Sequence, residues 1–377
     1  MAVFKFSKDS TTPLVADKAG TWVLAASNAL TLDSANSIDG ISTVAGIERV
    51  KLNILGDITL TGAGEHIGVH VKSDATPVMV GNSSTIKSTL GVGVDDMLAT
   101  AKIVFNGDFE GVSAIGSGAA ETTVTIGKNG SLTTTGNAIW LIGSEATDTS
   151  MLKVSGEINA GMNKAFVGGM GADTVSITRT GKITGDLDLG AGNDIVKIAK
   201  GEAFTGKIFG GAGDDLFMLK SADTVIVENA AEGKDTVNIG ETFTLGANVD
   251  DLVLTGNKAI DGNGNELANA LTGNNKANKL SGLDGDDTLD GGKGNDELTG
   301  GNGADTFLFH KAGGRDKIID FVDGTDKIKL DLGAKFDTFE KIADRIEVVD
   351  GNSLINLGSV RIEVTGATAL DATDFIF

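Results

Sequence analysis

Residues 282–308 read GLDGDDTLD, GGKGNDELT and GGNGADTFL, three nine-residue units in unbroken register. The units follow the pattern GGxGxDxUx, with Leu283 at the second position of the first unit, and U is a large apolar residue, here Leu289, Leu298 and Phe307. The register continues backwards through GNNKANKLS at 273–281 and GNELANALT at 264–272, where asparagine replaces the aspartate. A polar linker has no reason to keep an apolar residue at every ninth position, so the pattern indicates a folded repeat.

The spacing within the unit predicts a parallel β-roll whose turns bind calcium. Glycine permits positive φ and close backbone approach, so carbonyl groups can point inward around an ion, and the aspartate adds a hard anionic oxygen. Two units make one coil of 18 residues, so we expect Asp287 to stack with Asn269 and Asp305. Asp296 should stack with Asn278 in the same way. Calcium takes about six to eight oxygen ligands, which two turns of adjacent coils can supply together but one turn cannot.

These units resemble the repeats of the RTX (repeats-in-toxin, haemolysin-type) calcium-binding proteins of Gram-negative bacteria. The resemblance is specific over residues 251–377 and weaker back to residue 168. It implies several bound Ca²⁺ ions and export through a type I secretion apparatus, which reads an uncleaved C-terminal signal. The expected location is therefore outside the cell or at the surface of a Gram-negative bacterium.

A looser repeat precedes the roll. A glycine-x-apolar step recurs at Gly107, Gly130, Gly156 and Gly181, with spacings of 23, 26 and 25 residues, among short runs rich in valine, isoleucine and threonine. Short strands at this spacing predict a right-handed parallel β-helix that continues into the calcium roll. A β-sandwich is the alternative, although it would use longer strands and tight hairpin turns.

Calcium turns also occur late in the predicted β-helix. Asp173, Asp194 and Asp215 follow one another at intervals of 21 residues, and Asp235 comes 20 residues later with incomplete glycines. With one such turn in each coil, these carboxylates should form a single column along one edge, unless hydrogen bonds alone close the turns. The candidate calcium ligands are the side chains of Asp173, Asp194, Asp215, Asp235, Asn269, Asn278, Asp287, Asp296 and Asp305, with the turn residues Gly168, Met170, Gly171, Leu189, Ala191, Gly192, Gly210, Ala212, Gly213, Gly282, Asp284, Gly291, Lys293, Gly300 and Asn302.

We expect four parts along the chain. Residues 1–50 should cap the β-helix and hide its first open edge, as a solenoid requires. The β-helix then covers residues 51–245, and the roll covers residues 246–310. Residues 311–377 should form a C-terminal cap that also carries the secretion signal.

The C-terminal cap has its own local signals. Asp337 and Glu340 make a capping-box pattern before apolar residues at helical spacing, which predicts one short amphipathic helix. Asp350 and Gly351 lie between apolar runs and predict a β-hairpin. The chain ends in ATDFIF, which is similar to the acidic and hydrophobic ends of type I secretion substrates.

Composition narrows the classes of partner. A net charge of −21 argues against binding to nucleic acid or to anionic membranes, because their phosphates would be repelled. The chain has no cysteine, which excludes disulfides and cysteine–zinc sites. No signal-peptide pattern and no run of transmembrane length occurs. Aromatic residues make up only 5%, which counts against a carbohydrate cleft.

No catalytic motif stands out. Neither HExxH nor GxSxG occurs, which disfavours the RTX metalloproteases and lipases, and the absence of tyrosine disfavours the RTX alginate epimerases. We expect a non-enzymatic secreted protein, a surface-layer, matrix or adhesion component that folds on calcium binding. Besides calcium, its expected partners are further copies of itself or a cell-surface polysaccharide. The alternative is a β-helix polysaccharide lyase or hydrolase that carries an RTX secretion domain.

Overall fold

The computed structural model describes residues 100–142, 145–199, 203–311 and 313–377 and, before residue 100, strands that lie between residues 3 and 94. Apart from one C-terminal hairpin and the strand beside it, the described strands pair in parallel with strands one coil away. This pairing confirms a parallel β-solenoid and excludes the β-sandwich, whose strands pair in antiparallel. The right-handed sense of the coil stays a prediction.

The chain divides into two compact units. The first unit comprises Met1–Asp215 and Thr224–Val227, and the second comprises Leu216–Asp223 and Glu228–Phe377. The boundary between the β-helix and the roll at residues 245 and 246 stays a prediction.

The first unit contains two parallel ladders. One ladder consists of Val3–Phe6, Gly20–Leu24, Val50–Ile54, Pro77–Val80, Thr100–Phe105, Glu121–Ile126, Thr149–Val154, Thr174–Ile177 and Ile195–Ile198. The other consists of Leu14–Ala16, Ala29–Asp33, Ile38–Thr43, Asp57–Thr61, His66–Val71, Thr85–Val94, Asp108–Ser117, Ser131–Thr134, Ile139–Leu141, Glu157–Val167, Lys182–Asp188, Phe204–Thr205, Lys207–Phe209 and Val225–Val227. Strands before residue 51 already belong to these ladders, since Val3–Phe6 pairs with Gly20–Leu24 and the latter with Val50–Ile54. Among the described strands, no change of pairing marks the expected N-terminal cap.

The glycine-x-apolar steps coincide with a buried column of the first unit. Phe109, Leu132, Ile158 and Ile183 are successive Cα partners in the second ladder, and each is at most 1% exposed. Because side chains alternate along a strand, one inward residue per coil builds a continuous apolar core. The predicted steps are thus confirmed as core positions.

The second unit also contains two ladders. The first consists of Leu216–Met218, Thr236–Ile239, Asp251–Leu254, Ala270–Thr272, Thr288–Asp290, Thr306–His310, Lys327–Asp331 and Phe375–Ile376. The second consists of Phe243–Thr244, Gly262–Asn263, Lys279–Asp284, Glu297–Asn302, Gly314–Ile318, Val360–Val364, Asn352–Asn356 and Ile346–Val349. Leu289 pairs with Phe307 in the first, Leu280 pairs with Leu298 in the second, and these four side chains are at most 1% exposed. The predicted coil of two nonapeptides is confirmed.

The predicted C-terminal helix is wrong. The segment contains two short 3₁₀ turns, Phe339–Lys341 and Ala343–Arg345, and only Ile342 between them is fully buried. Thr338, not Asp337, precedes the first turn, and its side chain makes no capping hydrogen bond. One buried apolar residue gives too little tertiary packing to hold an isolated helix of this length. No helix in the described part of the chain is long and apolar enough to cross a lipid bilayer.

The predicted hairpin is confirmed, and the chain end is folded. Ile346–Val349 pairs in antiparallel with Asn352–Asn356, so that Asp350 and Gly351 form a two-residue turn with positive φ at both positions. A capping box joins Asp371 and Asp374 before the last strand, Phe375–Ile376, which pairs in parallel with Lys327–Asp331.

Candidate metal centre

The turns of the second unit alternate between two edges of the coil, because the chain passes from one ladder to the other on one side and returns on the opposite side. The turns that lead to the ladder of Thr288–Asp290 form what we call the first edge, at residues 264–269, 282–287, 300–305 and 319–326. The turns that leave this ladder form the second edge, at residues 255–260, 273–278, 291–296, 310–311 and 313–316.

Carboxylates stack along the first edge as the spacing predicts. The Asn269 N–H donates to Oδ1 of Asp287 at 2.7 Å, and the Asp287 N–H donates to Oδ1 of Asp305 at 2.9 Å. The column continues one coil further, where the Asp305 N–H donates to Oδ1 of Asp326 at 3.0 Å. Each carboxylate therefore uses one oxygen to hold the backbone of the coil before it.

The second edge repeats this arrangement. The Asn278 N–H donates to Oδ1 of Asp296 at 2.8 Å, and the Asp296 N–H donates to Oδ1 of Asp316 at 3.0 Å. The register of nine residues does not predict Asp316 and Asp326 as members of the columns. Both are followed by a Lys-Ile pair whose isoleucine is buried, as in the repeat. Asp316 follows Asp296 by 20 residues and Asp326 follows Asp305 by 21, so neither fits the period of 18 residues.

The other oxygen of three carboxylates is buried without a donor. Among the described residues, Oδ2 of Asp287, Asp296 and Asp305 has no hydrogen-bond partner, and each residue is 1% exposed. A Cβ atom at Gly282 would lie 1.9 Å from Oδ2 of Asp287 and 2.6 Å from the carbonyl oxygen of Gly300. Carboxylate and carbonyl oxygens thus crowd against glycine backbone with no hydrogen donor between them. Such a donor set fits a hard cation of the calcium type.

Burial makes these carboxylates hard to ionise without a cation. It raises the pKa of Asp287 to about 7, with added repulsion from Asp305, and raises the pKa of Asp296 to about 7, with added repulsion from Asp316. Burial likewise raises the pKa of Asp305 and of Asp316 to about 6. A cation bound between the turns would offset both burial and repulsion.

Asn269 does not offer this arrangement, although it holds the same position in the repeat. Its amide nitrogen donates to the carbonyl oxygens of Val249 at 3.2 Å and Asp250 at 3.0 Å. Its Oδ1 accepts from the N–H of Asn265 at 2.7 Å. Hydrogen bonds therefore close this turn, and calcium ligation by Asn269 stays a prediction.

Asn278 repeats the pattern on the second edge. Its amide nitrogen donates to the carbonyl oxygen of Ile260, and its Oδ1 accepts from the N–H of Asn274 at 2.8 Å. The amide nitrogen thus points to the preceding coil, and the oxygen faces its own turn. Calcium ligation by Asn278 likewise stays a prediction.

The first unit has the predicted single column. The Ser150 N–H donates to Oδ1 of Asp173 at 2.8 Å, the Asp173 N–H to Asp194 at 2.6 Å, and the Asp194 N–H to Asp215 at 2.8 Å. Unlike Asp287, Asp173 also uses Oδ2, which accepts from the N–H of Gly169 at 3.0 Å. Burial raises the pKa of Asp173 to about 6. Calcium binding at this column stays a prediction.

The remaining candidates of the first unit lie in the stacked turns beside this column. A Cβ atom at Gly168 would lie 2.0 Å from the carbonyl oxygen of Leu189, and one at Gly171 would lie 1.6 Å from that of Asp148. Ala191 and Ala212 form a parallel bridge. The N–H of Gly192 donates to the carbonyl oxygen of Ala212. Gly210 and Gly213 lie on either side of Ala212 in the same turn. The Met170 side chain is exposed.

In the second unit, three candidates direct their side chains away from the carboxylate columns. The side-chain amide of Asn302 donates to Oδ1 of Asp284 at 2.8 Å, and both side chains are exposed on the first edge. The Lys293 side chain is exposed on the second edge. Gly291 and Gly300 face Oδ2 of Asp296 and of Asp305, like Gly282. Asp235 is 1% exposed, and its N–H donates to Oδ2 of Asp250 at 2.8 Å, a partner that the sequence analysis missed.

Comparisons with known proteins agree with this geometry. A family model described as the RTX calcium-binding nonapeptide repeat, in four copies, matches residues 261–296 and residues 272–307. No curated protein matches the chain. Among solved structures, the extracellular lipase LipA from Serratia marcescens is similar at 18% sequence identity and a TM-score of 0.23, over 63% of this chain and 42% of that chain. The chain thus spans less than half of that lipase, and a likeness of this size supports no inference about activity.

The family match covers the turns in which the structure stacks Asp287, Asp296 and Asp305. RTX repeats do not by themselves indicate an enzymatic activity. They do bind calcium, with several ions in an array. Residues 261–307 of this chain are therefore RTX calcium-binding nonapeptide repeats.

Proposed function

We propose that this chain is a secreted structural protein, a surface-layer, matrix or adhesion component, whose roll folds when calcium binds outside the cell. The observation that carries the proposal is the buried Oδ2 atom of Asp287, Asp296 and Asp305, which lacks a donor among the described residues. Three such oxygens in successive turns would destabilise the coils unless a cation neutralised them. Calcium binding and coil stacking are then a single event.

The carboxylates of Asp287, Asp296 and Asp305 would hold the ions together with carbonyl oxygens of the glycine turns. A bound calcium ion would supply positive charge and bridge turns of adjacent coils. Sites of extracellular calcium modules have dissociation constants of about 10⁻⁴ to 10⁻³ M, far above cytosolic calcium. The aspartate turns of the roll would therefore stay unfolded inside the cell, and calcium outside would shift them to the folded state.

The folded chain end supports export before folding. Asp374 and Phe375 are 0% and 7% exposed, and the Phe375 ring lies 5.5 Å from the Phe339 ring. A type I secretion apparatus that reads these residues would need them unfolded, which low cytosolic calcium ensures. The net charge of −21 also suits an unfolded chain that a divalent cation later compacts.

A calcium titration followed by circular dichroism and calorimetry tests the proposal. Strand signal should appear cooperatively at about 0.1–10 mM calcium, and magnesium at the same concentrations should not replace it. A chain that shows full strand signal in chelator, without heat of calcium binding, would overturn the proposal. Among the described residues, no observation favours the alternative of a polysaccharide lyase or hydrolase.

A further inference from the structure

The second edge of the roll is basic, although the chain as a whole is strongly acidic. Each of its turns exposes at least one cationic side chain, and these are Lys258, Lys276, Lys293, Lys311 and Arg315. Within the described part of the chain, none of these five forms a salt bridge with a carboxylate. Aspartates of the same turns, Asp296 and Asp316, are buried in the column described above.

The first edge has the opposite character. Its turns expose Glu266, Asp284, Asp286 and Asp323, and they contain no lysine or arginine. Asp284 and Asp286 accept hydrogen bonds from Asn302 and from the N–H of Ala304, so their carboxylates are fixed on the surface. The two edges of one roll therefore carry charges of opposite sign on opposite sides.

The basic edge is costly for an isolated molecule. Lys258 and Lys276 are 18 residues apart, which is one coil, and neighbouring strands lie only about 4.8 Å apart. Like charges at such a spacing destabilise a sheet unless an anion lies between them. With 52 acidic residues in the chain, a carboxylate partner for these lysines would have been readily available. Their charge is left for a partner outside the molecule.

A groove shows where carboxylates of that partner would enter. It has a volume of about 420 Å³ and is lined by Asn274, Asn275, Lys293, His310 and Lys311, among others. Asp290 and Asp331, the carboxylates beside it, contact His310 at 3.2 and 3.3 Å. Within the described residues, Lys293 and Lys311 form no ion pair with these two carboxylates, so an incoming anion can meet their ammonium groups.

We propose that the second edge of one copy binds the first edge of another, so that calcium-loaded copies associate side by side. Both edges repeat once per coil, so positive and negative side chains can meet in register over several coils. Exposed ion pairs are individually weak, so association needs several pairs and should weaken with salt. The contact joins two different edges, so it leaves both outer edges free and can extend into rows. The inference depends on the proposed function in one respect, which is that calcium binding folds the roll.

Charge-reversed edges provide the test. The basic-edge variant carries Lys258→Glu, Lys276→Glu and Lys311→Glu, and the acidic-edge variant carries Glu266→Lys, Ala304→Lys and Asp323→Lys. All six side chains are exposed and none is a proposed calcium ligand. The control matched to the basic-edge variant carries Lys128→Glu, Lys153→Glu and Lys197→Glu, which make the same change of charge at exposed positions of the first unit. Sedimentation velocity with 5 mM calcium, in low salt and in 0.5 M sodium chloride, measures association, and circular dichroism confirms folding.

The wild type and the control should form large species in low salt that dissociate in 0.5 M sodium chloride. Each edge variant alone should stay monomeric, because both of its edges then carry the same sign. An equimolar mixture of the two variants should associate again. The proposal is overturned if folded wild type stays monomeric, if the variants associate like the control, or if the mixture fails to associate. Binding of polygalacturonate by folded, monomeric wild type would assign the edge to an acidic polysaccharide instead. A failure to fold with calcium would count against the proposed function, and circular dichroism separates that result.

Discussion

Two sets of turns in the same roll differ at position six of the repeat, where one set has asparagine and the other aspartate. The turns at Asn269 and Asn278 and the turns at Asp287 and Asp296 share their position in the coil and their stacking hydrogen bonds. In the asparagine turns an amide nitrogen donates to carbonyl oxygens of the preceding coil. In the aspartate turns Oδ1 takes that place and accepts a backbone N–H of the preceding coil, whereas Oδ2 faces the glycine of its own turn and is buried without a donor among the described residues. Hydrogen bonds thus satisfy both side-chain atoms in the asparagine turns, and the aspartate turns leave one oxygen for a cation.

The asparagine turns also contain a second asparagine, at position two of the repeat. Asn265 donates to the carbonyls of Gly246 and Val249, each at 2.7 Å, and accepts from the N–H of Leu267 at 2.9 Å. Asn274 donates to the carbonyl of Lys258 at 2.9 Å. The sequences GNELAN and GNNKAN therefore describe a turn closed by hydrogen bonds, whereas GLDGDD, GGKGND and GGNGAD leave one buried carboxylate oxygen without a donor among the described residues. We therefore expect one part of the roll to fold without a metal ion and another part to need it.

Removing calcium should have the largest effect, and it should divide the roll. In chelator at pH 7.5, backbone protection in Thr288–Asp290 and Thr306–His310 should fall at least about a hundredfold, or roughly 2.8 kcal/mol. Protection in Ala270–Thr272 should fall less than about tenfold, because hydrogen bonds close its turns. Hydrogen exchange read by mass spectrometry measures both. Equal losses in the three strands would show that the asparagine turns need calcium too.

Placing aspartate in the asparagine turns should destabilise the roll next most strongly. Asn269→Asp with Asn278→Asp removes the amide donors and adds buried charge beside Asp287 and Asp296. In chelator each change should cost about 1–3 kcal/mol, because carbonyl oxygens lose their donors. Thermal denaturation measures the loss, and calcium should restore part of it. Asn275→Asp, an exposed change of the same charge as each single substitution, is the control, and a loss there equal to that of either single substitution would refute the local explanation.

The reverse change should remove sites and lessen the need for calcium. Asp287→Asn with Asp305→Asn keeps the Oδ1 acceptors and replaces two orphaned oxygens by donors. The melting temperature in chelator should rise, and calorimetry should count fewer calcium ions. A lost site that was saturated at 100 times its dissociation constant gives up about 2.7 kcal/mol of calcium stabilisation. Asp286→Asn changes the same charge on the surface and should leave the ion count unaltered.

Acidification should have the smallest effect. It should raise the melting temperature in chelator and lower the apparent affinity for calcium when calcium is present. The pKa of Asp287 and of Asp296 is raised to about 7, so the folded state favours their protonated forms. In chelator this stabilisation is complete below the ordinary pKa of about 4 and is lost as pH rises through about 7, so the melting temperature should rise as pH falls. In calcium, protons compete for the carboxylates, and the apparent affinity should fall as pH drops below 7. Asp287→Asn with Asp296→Asn should flatten both slopes in melting curves.

The repeat register predicted the core and the columns well. Leu289, Leu298 and Phe307 are buried, and Asp287 stacks with Asp305, because a fixed period of 18 residues leaves one inward side per coil. Asp316 and Asp326 escaped notice because longer turns before them break that period. The prediction of a short helix was wrong because local capping and spacing signals do not stabilise a helix when packing buries only Ile342.

The sequence alone determined the parallel coil, its apolar columns and the positions of its aspartates, since each depends on local turn chemistry repeated at constant spacing. The tertiary structure decided which oxygens of those turns find a donor. Asn269 and Asp287 look alike in the repeat, and only the position of the carbonyls of Val249 and Asp250 shows that one turn is already closed. The tertiary structure also decided that lysines from separate turns lie along one edge, because these side chains become neighbours only when the coils stack.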